Sequence, residues 1–305
     1  MEPPRVIVIA GPTASGKSAL AAALAEALGG AVVNADSRQV YRELEIGVAK
    51  PTPAERARAP HYLVDYVSIH EPYSAGRWSR DARAVLDEVF AAAGPRHRVA
   101  VVSGGSGLHV RALVEGIPAM PTVPPGVRAA VEQVLAEAGI AGLQRELAER
   151  DPAYYEVVDR DNPHRLMRAL AVIRSSGKTF TELRAAPRTP LPYPVSRLVL
   201  DPPRAELYAR CDARVLAMVE RGLEAEARAL YAHRALDALQ TIGYREWWPY
   251  IEGEESRAGA IEAIQRATRR YARRQATWNR KLPGTRLAAP DLGAALEAIG
   301  LSSRG

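Results

Sequence analysis

The chain has one cysteine, Cys211, which excludes an internal disulfide and a zinc site built from paired thiolates. Its six histidines show neither HExxH nor another paired metal spacing. No apolar run approaches the ~20 residues that a membrane-spanning helix needs, so no membrane partner is expected. Met1-Glu2-Pro3-Pro4-Arg5 leads into Val6-Ile7-Val8-Ile9, a run that ends in a glycine-rich turn and not at a small-residue cleavage site. No signal peptide is therefore expected, and the expected setting is reducing and cytoplasmic. Lysine is scarce: all but four of the 41 basic residues are arginine. A GC-rich genome accounts for that bias, so the places where arginine clusters carry more information than its abundance. The net charge of +6 and pI of about 9.5 favour a polyanionic partner.

What is present reads as an α/β chain. Residues 5–10 form a continuous apolar run, the pattern of a strand buried on both faces of a parallel sheet. An alanine- and leucine-rich helix is expected from Ser18 to Leu28, stopped by Gly29-Gly30. Strands follow at Ala31–Asp36 and Arg98–Val102, with a helix near Ser79–Ala93 between them. This alternation predicts a P-loop NTPase-like, doubly wound parallel sheet. Prolines at 118, 121, 124 and 125, and again at 187, 190, 192 and 194, bracket a helical stretch over 126–176. The expected organisation is a core (1–117), a helical insertion (118–195) and a completion of the core with basic C-terminal helices (196–305).

Residues 11–18, Gly11-Pro12-Thr13-Ala14-Ser15-Gly16-Lys17-Ser18, match G-x-x-x-x-G-K-[ST] between a strand and a helix. Such a loop aims backbone N–H groups and a helix N-terminus at phosphate. Lys17 adds a point charge, and the Ser18 hydroxyl is a candidate Mg²⁺ ligand. The pattern calls for a diphosphate or triphosphate without specifying ATP. Asp36 ends the second strand, where ligands bind in open α/β sheets. An Asp there is equally suited to cap the turn with Ser37, and the residue alone does not decide between the two.

Several further motifs occur in order. They are Asn34-Ala35-Asp36-Ser37-Arg38-Gln39-Val40-Tyr41, Ile46-Gly47-Val48-Ala49-Lys50-Pro51, Gly104-Gly105-Ser106-Gly107-Leu108-His109 and Ser176-Gly177-Lys178-Thr179. Ile242-Gly243-Tyr244-Arg245 and Arg274-Gln275-Ala276-Thr277-Trp278 complete the set. Together they resemble the tRNA dimethylallyltransferase family, collinearly from about Val6 to Trp278. The resemblance implies that the phosphate loop holds dimethylallyl diphosphate with Mg²⁺. It implies that Asp36 is the general base for an adenine amine of tRNA, that Ser106 bonds the reacting base where the family usually has Thr, and that Arg214 reaches the diphosphate. On its own terms Arg214 reads as an exposed helix arginine. His109 stands where the family usually has Tyr. Family tRNA-contacting stretches map onto Asp36, Ser37, Arg38 and Gln39, onto Ser106 and Arg128, and onto His164, Arg165, Leu166, Met167 and Arg168. They also map onto Gln240, Thr241, Ile242, Gly243, Tyr244 and Arg245, and onto Arg273, Arg274, Gln275, Thr277, Trp278 and Arg280. The chain is expected to act as a monomer.

Residues 266–281 carry seven basic residues and no acid. Ala267, Tyr271 and Trp278 share one face, expected to meet the core. Arg266, Arg269, Arg270, Arg273 and Arg274 occupy the rest. A solvated helix usually mixes in glutamates, so their absence favours phosphate contacts. A nucleotide kinase would leave this helix unexplained, and an isopentenyltransferase acting on free adenylate would need neither it nor the insertion. A GTPase-like RNA-binding module would need an N-K-x-D segment, which is absent.

Overall fold

The computed structural model describes residues 3–92 and 98–301, so the Ala93 end of one expected helix lies outside the described residues. The chain divides into two compact units, Met1–Val114 with Pro190–Gly305, and Glu115–Thr189.

In the first unit, β1 (Arg5–Ala10), β2 (Ala31–Asn34), β3 (His61–Tyr62), β4 (Val99–Ser103), β5 (Val195–Leu200) and β6 (Thr285–Leu287) form one sheet in the order β3-β2-β4-β1-β5-β6. Every neighbouring pair is parallel, which requires crossovers that cover the faces. Side chains alternate accordingly. Val6, Val8, Val33 and Val102 join Trp78 and Leu86 of α3 (Ala75–Ala92) and Leu113 of α4 (Gly107–Val114). Ile7, Ile9, Val32 and Val101 turn to the other face, against Leu20 and Leu24 of α1 (Lys17–Leu28) and Leu296 of α13 (Leu292–Ala298). The unit also contains α2 (Pro53–Arg58), α9 (Arg204–Glu220), α10 (Leu223–Leu230), α11 (Trp248–Ile251) and α12 (Arg257–Asn279). β3 and β6 have no counterpart in the sequence reading, because two or three residues are too few for an alternation to register.

The second unit is helical: α5 (Pro125–Arg150), broken at Gly139, α6 (Pro152–Val157), α7 (Pro163–Ser176) and α8 (Phe180–Ala185). Leu143, Leu147, Leu166, Leu170 and Phe180 form its core. The Ser176-Gly177-Lys178-Thr179 motif is a stop followed by a start. Gly177 ends α7 in the left-handed region at φ 70°, and Thr179 opens α8 with a capping box to Glu182. Pro190, Pro192 and Pro194 of the second proline stretch belong with the first unit. The Leu191 N–H donates to the Val114 carbonyl at 3.0 Å, and the Tyr193 hydroxyl donates to Asp87 at 2.6 Å. The helical unit therefore runs over 115–189, where the proline pattern had suggested 118–195.

Asp151, 1% exposed, staples this unit. Its Oδ1 accepts from the Tyr154 N–H (3.0 Å) and the Thr181 hydroxyl (2.8 Å), and its Oδ2 from the Thr181 N–H (2.8 Å). Asp151→Ala is expected to cost about 1–3 kcal/mol for each donor left without an acceptor. The loss should be read as a lower urea midpoint by circular dichroism, with Asp151→Asn losing less.

Candidate active site

The loop between β1 and α1 closes through the Ser15 N–H to the Pro12 carbonyl at 3.3 Å, with Ala14 at φ 61° and Gly16 at φ 90°. Glycine adopts that left-handed region freely. Ala14 does so at a cost of about 1–2 kcal/mol. Lys17 curls back so that Nζ donates to the Pro12 carbonyl at 2.6 Å. Burial pushes the Lys17 pKa down to about 8; Arg214 adds to the shift and Asp36 opposes it. Arg214, on α9, donates from a guanidinium nitrogen to Thr13 Oγ1 at 3.3 Å, and burial lowers its pKa too. Two desolvated cations beside a helix N-terminus, with Asp36 as the carboxylate opposing both shifts, leave the site short of negative charge. A multiply charged phosphate would supply it. Ser18 is exposed in the first turn of α1.

Asp36 uses its two oxygens differently. Oδ1 accepts from the N–H groups of Arg38 (2.8 Å) and Gln39 (3.4 Å), which caps the turn. Among the described residues no donor is bonded to Oδ2. Above the phosphate loop lies a small cavity of about 70 Å³, bordered by Lys17, Ser18, Gly104 and Gly105. Beside it is a larger one of about 300 Å³, with an apolar wall of Val48, Val215, Met218, Ile242 and Ile264. Thr13, Asp36, Val48, Arg214 and Tyr271 border both. The free carboxylate oxygen thus belongs to the one acid among the residues shared by the two cavities, where a cationic floor meets an apolar wall.

Ser106 caps α4: its Oγ accepts from the His109 N–H at 3.3 Å, which leaves its own O–H available to donate. It follows Gly105 of the small cavity but does not itself border either cavity. His109 is a core residue, stacked on Trp78 at 4.8 Å between centroids and 7° between planes, and burial lowers its pKa to about 4.

Ser37, Arg38, Gln240, Thr241, Ile242, Gly243 and Arg245 line the larger cavity. Gln39 borders the small cavity and also braces the frame, and Tyr244 is a frame residue. The Gln39 amide donates to the carbonyls of Val48 (3.2 Å) and Ala49 (2.9 Å). Tyr244 is fully buried with its hydroxyl on Glu226. Glu226 also accepts from the N–H groups of Glu45 (3.2 Å), Ile46 (2.7 Å) and Gly47 (3.3 Å), and so fixes the segment that supplies Val48 to the wall. The sequence carries no signal for Glu226, one of two glutamates in an ordinary amphipathic helix. Val215 and Met218 could have been found as the i+1 and i+4 neighbours of Arg214 on α9.

α12 buries Ala260, Ile264, Ala272, Gln275 and Asn279. That face is rotated from the one expected through Ala267, Tyr271 and Trp278: Trp278 is 43% exposed, and Tyr271 borders both cavities. Gln275 is internal, accepting from the Thr13 N–H at 2.8 Å and donating to the Gly105 carbonyl at 2.9 Å. Thr277 spends its hydroxyl on the Arg273 carbonyl of its own helix. Two arginines find acids outside the 266–281 segment, Arg266 on Glu262 at 3.0 Å and Arg269 on Asp212. Among the described residues Arg270, Arg273, Arg274 and Arg280 form no ion pair. In the helical unit Arg128, His164, Arg165 and Arg168 are exposed. Leu166 is fully buried, and Met167, partly buried, packs on the same core.

The fold and this site define a P-loop protein of the α/β class with an anion site opening onto an apolar wall. Residues 39–282 match the family described as IPP transferase. Across 94% of its length the chain is 48% identical to the tRNA dimethylallyltransferase of Anaeromyxobacter sp. strain K, covering 93% of that protein. The full-length tRNA isopentenylpyrophosphate transferase of Bacillus halodurans aligns with a TM-score of 0.69 at 31% identity, covering 98% of this chain and 94% of that one. A eukaryotic dimethylallyltransferase acting on tRNA aligns at a TM-score of 0.80 and 25% identity, over 97% of this chain and 77% of that one. The chain belongs to the tRNA dimethylallyltransferase, or IPP transferase, family.

With a Lys17 pKa of about 8, the ammonium is present below that pH and lost above it. Affinity for inorganic pyrophosphate, measured by calorimetry, is expected to fall as pH rises from 7 to 9.5. Lys17→Ala should bind more weakly and show a flatter dependence. Parallel curves for the two proteins would remove Lys17 from the anion site.

Proposed function

We propose that this protein transfers the dimethylallyl group of dimethylallyl diphosphate to the N6 amine of the adenosine 3′-adjacent to the anticodon of tRNA, releasing diphosphate. The observation that carries this reading is the placement of Asp36, with a free oxygen, where the cationic floor meets the apolar wall. The diphosphate lies against Lys17, Arg214 and the loop N–H groups, and the five-carbon chain against the apolar wall. The adenine amine is a poor nucleophile because its lone pair is delocalised into the ring. As its nitrogen bonds the allylic carbon, the carbon–oxygen bond to diphosphate breaks and Asp36 Oδ2 takes the amine proton. Lys17 and Arg214 stabilise the charge that develops on the leaving group. Ser106, anchored through its cap, donates to the reacting base.

Mg²⁺ is the metal these residues fit. Among the described residues no cluster of three acids, histidines or cysteines could hold a cation. Ser18 and the substrate's phosphate oxygens match the sparse protein ligation that Mg²⁺ accepts. When bound, it neutralises charge on the diphosphate.

The tRNA reading draws support from exposed, unpaired cations on both units: Arg128, His164, Arg165 and Arg168 on one, Arg270, Arg273, Arg274 and Arg280 on the other. A base inside a folded anticodon loop has to be extruded to reach the cavity, and unpaired loop bases are read by stacking and edge contacts.

Incubation with labelled dimethylallyl diphosphate, Mg²⁺ and bulk tRNA, followed by nucleoside analysis, is expected to yield N6-dimethylallyladenosine without ATP. A requirement for ATP hydrolysis would overturn the reading. Asp36→Asn retains the Oδ1 cap and replaces the proton-accepting oxygen with an amide. Single-turnover transfer is expected to drop roughly 10²–10⁴-fold with both substrates still bound, and near wild-type transfer would exclude Asp36 as the base. Neutralising Arg270, Arg273 and Arg274 together should lower the log–log salt slope of tRNA binding by about one for each phosphate that is no longer neutralised. An unchanged slope would return α12 to a solvated face.

A further inference from the structure

Gly47, Val48 and Ala49 line the larger cavity, and so do Ile242 and Gly243. The two stretches meet at a pair of glycines. A Cβ on Gly243, which has φ 97°, would lie 3.3 Å from the Gly47 carbonyl oxygen, and a Cβ on Gly47 would lie 2.5 Å from the Tyr244 ring. The seam leaves no room for a side chain on either glycine. Glu226, on α10, borders neither cavity but reaches both stretches. Its Oε1 accepts from the N–H groups of Glu45 (3.2 Å) and Gly47 (3.3 Å) and from the Tyr244 hydroxyl, and its Oε2 from the Ile46 N–H (2.7 Å). Three consecutive N–H groups converging on a carboxylate form an anion nest, and the fourth donor comes from the other stretch. Burial, reinforced by the carboxylate, raises the Tyr244 pKa, so the hydroxyl keeps the proton that it donates. The turn itself is strained, with Ala49 in the left-handed region at φ 50°. Such strain persists where the surroundings over-determine the backbone, and here Glu226 and the Gln39 amide do so.

Size is what such a joint controls. The cavity of about 300 Å³ has to take the five-carbon chain and the base together. An apolar wall that does not yield discriminates roughly 10- to 200-fold for each methylene added to a ligand, and a wall that parts loses that discrimination. We propose that Glu226 is a positioning residue that sets donor length: by joining residues 45–47 to Tyr244 it holds Val48 and Ile242 at the spacing that admits a five-carbon donor and excludes a ten-carbon one. This rests on the prenyl-transfer reading above and adds to it a residue that fixes the size of the substrate without touching it.

The test compares single-turnover transfer to tRNA from dimethylallyl diphosphate and from geranyl diphosphate, beside calorimetric binding of inorganic pyrophosphate and a thermal melt. The wild type is expected to use only the five-carbon donor. Glu226→Gln keeps the size of the side chain, loses one acceptor oxygen and sets an amide against three N–H groups. Its dimethylallyl transfer should fall by up to roughly 10²-fold through misplacement alone. Geranyl transfer should become measurable, so that the ratio of the two donors shifts by at least roughly tenfold toward geranyl. Tyr244→Phe, which keeps the ring on Gly47 and removes only the hydroxyl, should shift the ratio the same way by less, and it decides the matter even where Glu226→Gln does not fold. The double variant should shift the ratio no further than Glu226→Gln alone, because both changes break one joint. Pyrophosphate should bind every variant as it binds the wild type. An unchanged donor ratio, whatever the melting temperature, would make Glu226 a stability residue and overturn the proposal, and so would a parallel loss of pyrophosphate affinity. Equal use of both donors by the wild type would overturn it too, while leaving the prenyl-transfer reading in place. Failure of the wild type to transfer the dimethylallyl group at all would overturn that reading, and the role of Glu226 with it.

Discussion

The Gln275 side chain accepts from the Thr13 N–H and donates to the Gly105 carbonyl, and these two bonds tie together the phosphate loop, the turn before α4 and the helix α12. Gln275 is 7% exposed, so leaving either partner unmet would cost the full desolvation of a buried polar group. The amide therefore sets the phase of α12. With Gln275 turned inward, Tyr271 one turn earlier faces the same cavity, and Asn279 one turn later is buried. Arg273 and Arg274 are then exposed. Thr13, held by its N–H, presents Oγ1 to Arg214. The anion site and the basic helix are two consequences of one buried side chain.

Charge is distributed unevenly around that frame. Away from the site, Lys50 lies between Asp65 and Glu45, and Glu226 accepts from three N–H groups and a tyrosine hydroxyl. At the site Lys17 and Arg214 have no such match. The depressed pKa values of both reflect the mismatch, in which burial is the largest cause and Asp36 a partial offset. A third cation nearby would worsen it. His109 lies close enough for Asp36 to raise its pKa, yet burial against Trp78 holds it to about 4, so the ring is neutral at pH 7. A tyrosine, usual in the family at this position, is likewise neutral there.

Much of this was legible in the sequence, and the misses share a cause. The phosphate loop, its flanking strand and helix, and the carboxylate at the end of β2 are local patterns whose spacing is fixed by backbone geometry. Tyr244 sits in a motif that marks the site, yet it acts on it from behind, holding the segment that forms the wall, and Gln39 braces that segment while also bordering the small cavity. A motif records that a residue matters and does not say which way it points. The phase of α12 was misread because apolar and aromatic residues were assigned to the core. Here the inward positions include Gln275 and Asn279, while an indole stays outside. Arg266 and Arg269 looked unpaired because their acids lie one turn upstream and on another helix. Glu226 was invisible because its partners are backbone N–H groups some 180 residues away in the chain.

The alternative readings of Asp36, turn cap or proton acceptor, are compatible because a carboxylate has two oxygens. Two N–H groups on Oδ1 restrain the side chain and orient Oδ2 without consuming it. Such restraint is what a general base needs, since a carboxylate free to rotate would have to be ordered again at each turnover. Ser106 repeats the arrangement with a hydroxyl, accepting from the helix while its own O–H stays available to donate. In both cases a capping bond that a stable fold needs anyway restrains the side chain and leaves one of its polar atoms or protons unspent. The same backbone turns that end β2 and start α4 therefore determine where a proton can be accepted and where one can be donated.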